Sequence, residues 1–140
     1  MSAYLYLFLT LVICGLAFWR GGSSEKRIAV TLLAGWAASL VMFRHNRINP
    51  DVGVMIVDAV AALIFIWESI RSRLLWTVAI SAFQLVALAS HVAVLIDLRV
   101  TINTYMMSLA VWSYAILLTL ALGVWLHWRE MRRYEADLAE

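Results

Sequence analysis

The sequence predicts an all-α fold class: an integral membrane bundle of five transmembrane helices running up and down, with the N-terminus outside and the C-terminus cytoplasmic. Composition is the first observation behind it. Of 140 residues, 64% are hydrophobic and only 14% charged, with a mean hydropathy of +0.86, whereas soluble domains carry about a quarter charged residues. The second is the spacing of five long apolar segments between short charged turns. A chain of this size cannot cover that much apolar surface with polar residues, so lipid has to solvate it. The third is a bias of Lys and Arg towards alternate turns, described below.

The first segment covers residues 3–19. No Lys or Arg precedes it and no A-x-A-like site follows, so a retained helix is expected instead of a cleaved signal peptide. Leu11-Val12-Ile13-Cys14 lacks the small residue and the basic leader that a lipoprotein box requires. Gly21-Gly22-Ser23-Ser24 then breaks the chain and offers Ser24 as a cap for a second helix over 28–43. Asn49-Pro50-Asp51 supplies an N-cap, a first-turn proline and a first-turn acid for the third, over 52–67.

The fourth and fifth helices are expected over 74–96 and 105–126. The first three lie near the lower spanning limit of about 17 residues, and flanking Arg and Trp side chains extend their reach by snorkelling. All connecting turns are short enough to join antiparallel neighbours. Residues 1–128 thus form a single transmembrane domain. Residues 129–140 form a charged cytoplasmic helical tail, in which Arg133 and Asp137 are spaced for an i,i+4 pair.

Orientation follows from the basic residues. Arg20, Lys26, Arg27, Arg71, Arg73, Arg129, Arg132 and Arg133 fall on one side of the five-span arrangement, against Arg44, Arg47 and Arg99 on the other. Cytoplasmic turns are the basic ones. Trp19, Trp67, Trp76, Trp125 and Trp128 then belong to an inner aromatic belt, and Tyr4, Tyr6 and Tyr105 to an outer one. The compact chain is expected in a bacterial inner membrane.

Asp58 is the most informative residue, because an acid inside a membrane helix costs ~3 kcal/mol on insertion scales and faces a partner or a water-filled cavity. At 1.5 Å per residue it lies ~12 Å from the outer end of its helix. On the next helix Thr77, Gln84 and His91 recur every seven residues, with Ser81 nearby, and form one polar stripe. Depth counting puts Asp58 between the levels of Gln84 and His91. Tyr105, Trp112 and Thr119 make a second heptad seam on the fifth helix. Trp36, Tyr105 and Trp112 are candidate pocket aromatics, suited to a cationic ligand.

Other chemistries find little support. A pI near 9.0 does not indicate a nucleic-acid partner, because the basic residues are split among turns. Cys14 is the only cysteine, so one chain forms no internal disulfide. His91 as a metal or haem ligand has only His45 in its half of the bilayer, and no metal or cofactor is expected. No nucleophile triad, phosphate-binding glycine loop or paired catalytic carboxylates occur, so an enzyme is disfavoured. The basic residues at 129, 132 and 133 suit anionic lipid, although Glu130, Glu135 and Asp137 dilute them.

Two functions remain. The leading expectation is an accessory or structural subunit that associates with its own copies or with a larger membrane complex, using small residues such as Ala34, Gly35, Ala38, Ala59, Ala61 and Ala62 for close approach. The alternative is an oligomeric proton- or cation-coupled transporter or channel using Asp58 and His91.

Overall fold

The computed structural model describes residues 3–45, 50–97 and 99–140, without the side chains of Ala3, Phe43, His45, Pro50, Asp51 and Ile102. Arg47 and Asn49 therefore lie outside the described residues, as do the side chains of His45, Pro50 and Asp51 invoked above. Of the described residues, 92% are helical and none is in a strand. Five helices are described: α1 (Ala3–Arg20), α2 (Ser23–His45), α3 (Pro50–Ser72), α4 (Leu75–Ile96) and α5 (Ile102–Leu138).

Three of these helices run well past the apolar segments that announce them. α2 begins five residues early, α3 continues five residues late and α5 extends through the tail. The apolar count stops where charge begins. Glu, Lys and Arg are nevertheless good helix formers, so the backbone continues. Ser24 consequently sits inside the first turn of α2 instead of capping it. The turn before α2 shrinks to Gly21 and Gly22. A Cβ at Gly21 would collide with the Ala17 carbonyl oxygen, which accounts for glycine there.

The α3–α4 turn is only Arg73 and Leu74. Arg73 has φ 55° and its N–H donates to Ser69 O at 3.1 Å, the left-handed helix ending that glycine more often supplies. Thr101 caps α5, its hydroxyl accepting from the Thr104 N–H at 3.4 Å, a use of Thr that satisfies an orphan first-turn donor.

Each helix packs on its sequence neighbours, and α5 returns to pack on α1, so the five form a closed ring in chain order, with a smaller α2–α5 contact across it. Val52–Ser72, Leu75–Ile96 and Asn103–Leu138 are long and apolar enough to cross a membrane, and Tyr4–Arg20 is a shorter apolar helix. The chain is thus a membrane-type helical bundle.

The dry core occupies the half of the ring nearest the α1–α2 and α3–α4 turns. There Cys14, Ala17, Ile28, Ala29, Phe65, Trp76, Ile80, Ile116, Leu120 and Val124 pack together. At its edge one Arg27 Nη1 donates to both carboxylate oxygens of Glu68, each at 3.2 Å. Glu68 is buried while Arg27 is 40% exposed on its side chain, so the arginine bridges α2 to α3 and neutralises an otherwise costly buried acid. Arg133 and Asp137 do not form the ion pair their spacing suggested; among the described residues the ion pairs are Arg27–Glu68 and Asp58–His91.

The tryptophans do not all line the rim. Trp19, Trp67 and Trp125 are exposed, but Trp76 is buried in the core. Tyr105, read as an outer-interface residue, is buried as well. Both corrections have one cause: heptad position and depth identify an approximate level, whereas facing direction depends on the neighbouring helix.

Candidate functional site

The other half of the ring holds a polar cluster. Asp58 lies mid-way along α3, facing α4. Its Oδ1 accepts from Gln84 Nε2 at 3.2 Å, and the same amide nitrogen lies 3.3 Å from the Asp58 carbonyl oxygen. Its Oδ2 is 2.8 Å from His91 Nε2. On the far side of the imidazole, His91 Nδ1 and the Tyr105 hydroxyl are 2.6 Å apart. Three helices are joined through one carboxylate, one amide, one imidazole and one phenol.

The spacing of α4 explains the arrangement. Gln84 and His91 are one heptad apart and so project from the same face two turns apart. The Asp58 carboxylate on α3 bridges that gap with one oxygen on each side chain. Tyr105 enters from the first turns of α5, and its ring meets His91 edge-to-face at 5.5 Å. Burial differs sharply across the cluster. The His91 side chain is 2% exposed, whereas the Asp58 side chain is 26% exposed.

That exposure faces a cavity of about 190 Å³ between the helices, lined by Asp58, Gln84 and His91 together with Tyr6, Trp36, Ser39 and Ser113. All five helices contribute to its wall. Among the described residues no Lys or Arg lines it.

A consistent donor order exists for an ionised Asp58. Gln84 N–H and His91 Nε2–H donate to its two oxygens, and the phenol O–H donates to Nδ1. One extra proton can be stored without breaking a contact. The imidazolium keeps Nε2–H on Oδ2 and presents Nδ1–H to the phenol oxygen, whose own hydrogen turns away. Every contact of the cluster is thus satisfied in either donor order.

Not every residue of the sequence-derived site takes part. Thr77 bonds the Leu74 carbonyl at 2.6 Å and lies 3.0 Å from the Ser72 hydroxyl; Ser81 bonds the Thr77 carbonyl at 2.8 Å. These hydroxyls satisfy their own helix and its preceding turn, as buried Ser and Thr in helices commonly do. Trp36 lines the cavity, but Trp112 does not. It stacks on Phe83 at 6.2 Å and donates to Ser108 Oγ at 3.2 Å. Tyr105, expected as a pocket aromatic, does not line the cavity either; its phenol joins the cluster as a hydrogen-bonding group. Tyr6 was read only as a belt residue.

Tyr105→Phe tests the outer link. It removes the donor that serves His91 Nδ1 and leaves a buried ring nitrogen without that partner, which costs roughly 1–3 kcal/mol. Thermal unfolding in mild detergent is expected to show a lowered midpoint, with helical content unchanged below the transition.

Comparison with protein-family models, curated proteins and solved structures found no match for this chain.

Proposed function

We propose that this is a five-span membrane protein with a proton- or cation-accepting site at Asp58, serving proton- or cation-coupled movement across a bacterial inner membrane. The role is binding and passage, not catalysis. Ring closure supports five spans: α1 and α2 each pack between neighbours in a closed circuit, so they share the depth of the three long apolar helices. At 23 residues, α2 measures about 35 Å, enough to cross ~30 Å of hydrocarbon. The eight-to-three distribution of Lys and Arg supports a cytoplasmic C-terminus.

The observation that carries the functional reading is the exposure of Asp58 to the cavity while Gln84 and His91 hold both of its oxygens. The carboxylate keeps part of its surface on a cavity that also holds the hydroxyls of Tyr6, Thr31, Ser39 and Ser113 and the ring of Trp36. Such a lining suits a proton, a hydrated monovalent cation or a small organic cation.

In reconstituted vesicles the protein should collapse an imposed pH gradient faster than protein-free vesicles, either alone or on adding external sodium. Equal decay with and without protein under both conditions contradicts the proposal.

Association with further copies or a larger complex stands as a second reading. Ala34, Gly35, Ala38 and Ala61 line an open apolar groove of about 400 Å³ between α2 and α3, where another helix can approach closely. It predicts a defined oligomer or a co-purifying partner in mild detergent.

A further inference from the structure

At the end of the ring opposite Asp58, three tryptophans and three arginines interleave on α1 and α5. Arg20 lies over Trp19 at 4.9 Å and over Trp128 at 5.4 Å, while Arg132 lies over the same Trp128 ring at 4.3 Å. Arg129 lies over Trp125 at 5.4 Å. Two guanidiniums thus converge on one indole. Like charges brought together are unfavourable unless an anion or solvent compensates them. None of these arginines has a carboxylate partner, since the ion pairs among the described residues are Arg27–Glu68 and Asp58–His91.

Directly beside this cationic corner runs an apolar groove of about 320 Å³ between α1 and α5. Ile13, Leu16, Ala121 and Val124 line it, and Trp19, Trp125, Trp128 and Arg20 form its mouth. The combination is amphipathic along one line: aliphatic wall, indole collar, then unpaired cations. An apolar wall that ends in unpaired cations matches an acyl chain joined to an anionic headgroup.

We infer that the α1–α5 groove is a binding site for an anionic phospholipid, one acyl chain lying against Ile13, Leu16, Ala121 and Val124 and the phosphate meeting Arg20 and Arg132. Indole rings hold both guanidiniums in place by cation–π contact, so little side-chain freedom remains to be lost on binding. The inference rests on the membrane placement proposed above and not on the chemistry of Asp58. The charge of the lipid supplies what the protein lacks at this corner.

The test is native mass spectrometry of the full chain released from nanodiscs containing equal amounts of phosphatidylglycerol and phosphatidylcholine with matched acyl chains. Wild-type protein is expected to retain phosphatidylglycerol preferentially. Arg20→Gln with Arg132→Gln should reduce that preference by about tenfold or more, given the usual contribution of each interfacial arginine. Ala121→Phe, which fills the groove and keeps every charge, should also abolish it. Equal retention of the two lipids by wild type, or an unchanged preference in either variant, overturns the site. A dimer that Ala121→Phe disrupts without any lipid bound overturns it too, by assigning the groove to a second copy. Asp58→Asn should leave lipid retention unaltered, so failure of the transport proposal and failure of this one are distinguishable.

Discussion

Asp58→Asn is expected to return gradient decay in reconstituted vesicles to the protein-free rate while leaving the fold intact. The two halves of this prediction have separate causes. Asparagine has the shape of aspartate, and its Oδ1 still accepts from Gln84. Its amide nitrogen becomes a donor toward His91 Nε2, which accepts once the imidazole takes the other tautomer, with Nδ1–H given to the Tyr105 oxygen. Every partner found in the structure at 2.6–3.2 Å thus keeps a hydrogen bond. The carboxylate that accepts a proton or cation is gone, however. Loss of a positioned proton-transfer group slows that step roughly a hundredfold or more. Asp58→Leu differs instructively: it strands Gln84 and His91, each at roughly 1–3 kcal/mol, and should lower the thermal midpoint as well. Flux that survives Asp58→Asn removes the residue from the path.

Gly123→Ala is expected to destabilise the bundle markedly, despite adding the best helix-forming residue. Within a helix that exchange alone gains ~1 kcal/mol. The new methyl, however, would sit 2.6, 2.7 and 2.9 Å from Trp76 Cδ2, Cε2 and Cε3. Trp76 is buried in the dry core between α4 and α5, and a fused ring has no flexible end to move aside. Overpacking of a tight core costs typically 1–3 kcal/mol, and three ring contacts at once place this site at the upper end. The clash therefore outweighs the propensity gain. A thermal melt in detergent should show a midpoint several degrees lower, and Trp76→Phe should recover part of the loss in the double variant. A midpoint equal to or above wild type contradicts the close approach.

The parts of the site legible in sequence are those that a one-dimensional pattern encodes. Seven-residue spacing put Gln84 and His91 on one face of α4, and counting rise per residue from the helix ends set Asp58 between their levels. The structure has its two oxygens on those two side chains. The same spacing also gathered Thr77 and Ser81 into the stripe, because periodicity specifies a face and not a partner. Their hydroxyls are satisfied within α4 and the turn before it.

Facing direction between helices was not legible. Tyr105 and Trp76 resemble belt residues in composition and depth, yet both are buried by neighbours. Glu68 looked like part of a solvated turn because it is charged. In the structure α3 continues past it, and Arg27 at the matching end of antiparallel α2 neutralises it. The cavity beside Asp58 is equally invisible in sequence, since it results from the side-chain volumes of five helices meeting at one level.

Solid-state nitrogen NMR of histidine-labelled protein in lipid addresses the central claim most directly. The chain has three histidines, so a His91→Phe variant assigns the His91 signals by difference. The neutral wild-type ring is predicted to carry its proton on Nε2, pointing at Asp58. In Asp58→Asn the neutral ring is predicted to carry its proton on Nδ1. A His91 ring that keeps the same tautomer in wild type and in Asp58→Asn would contradict a charged, proton- or cation-accepting carboxylate at Asp58.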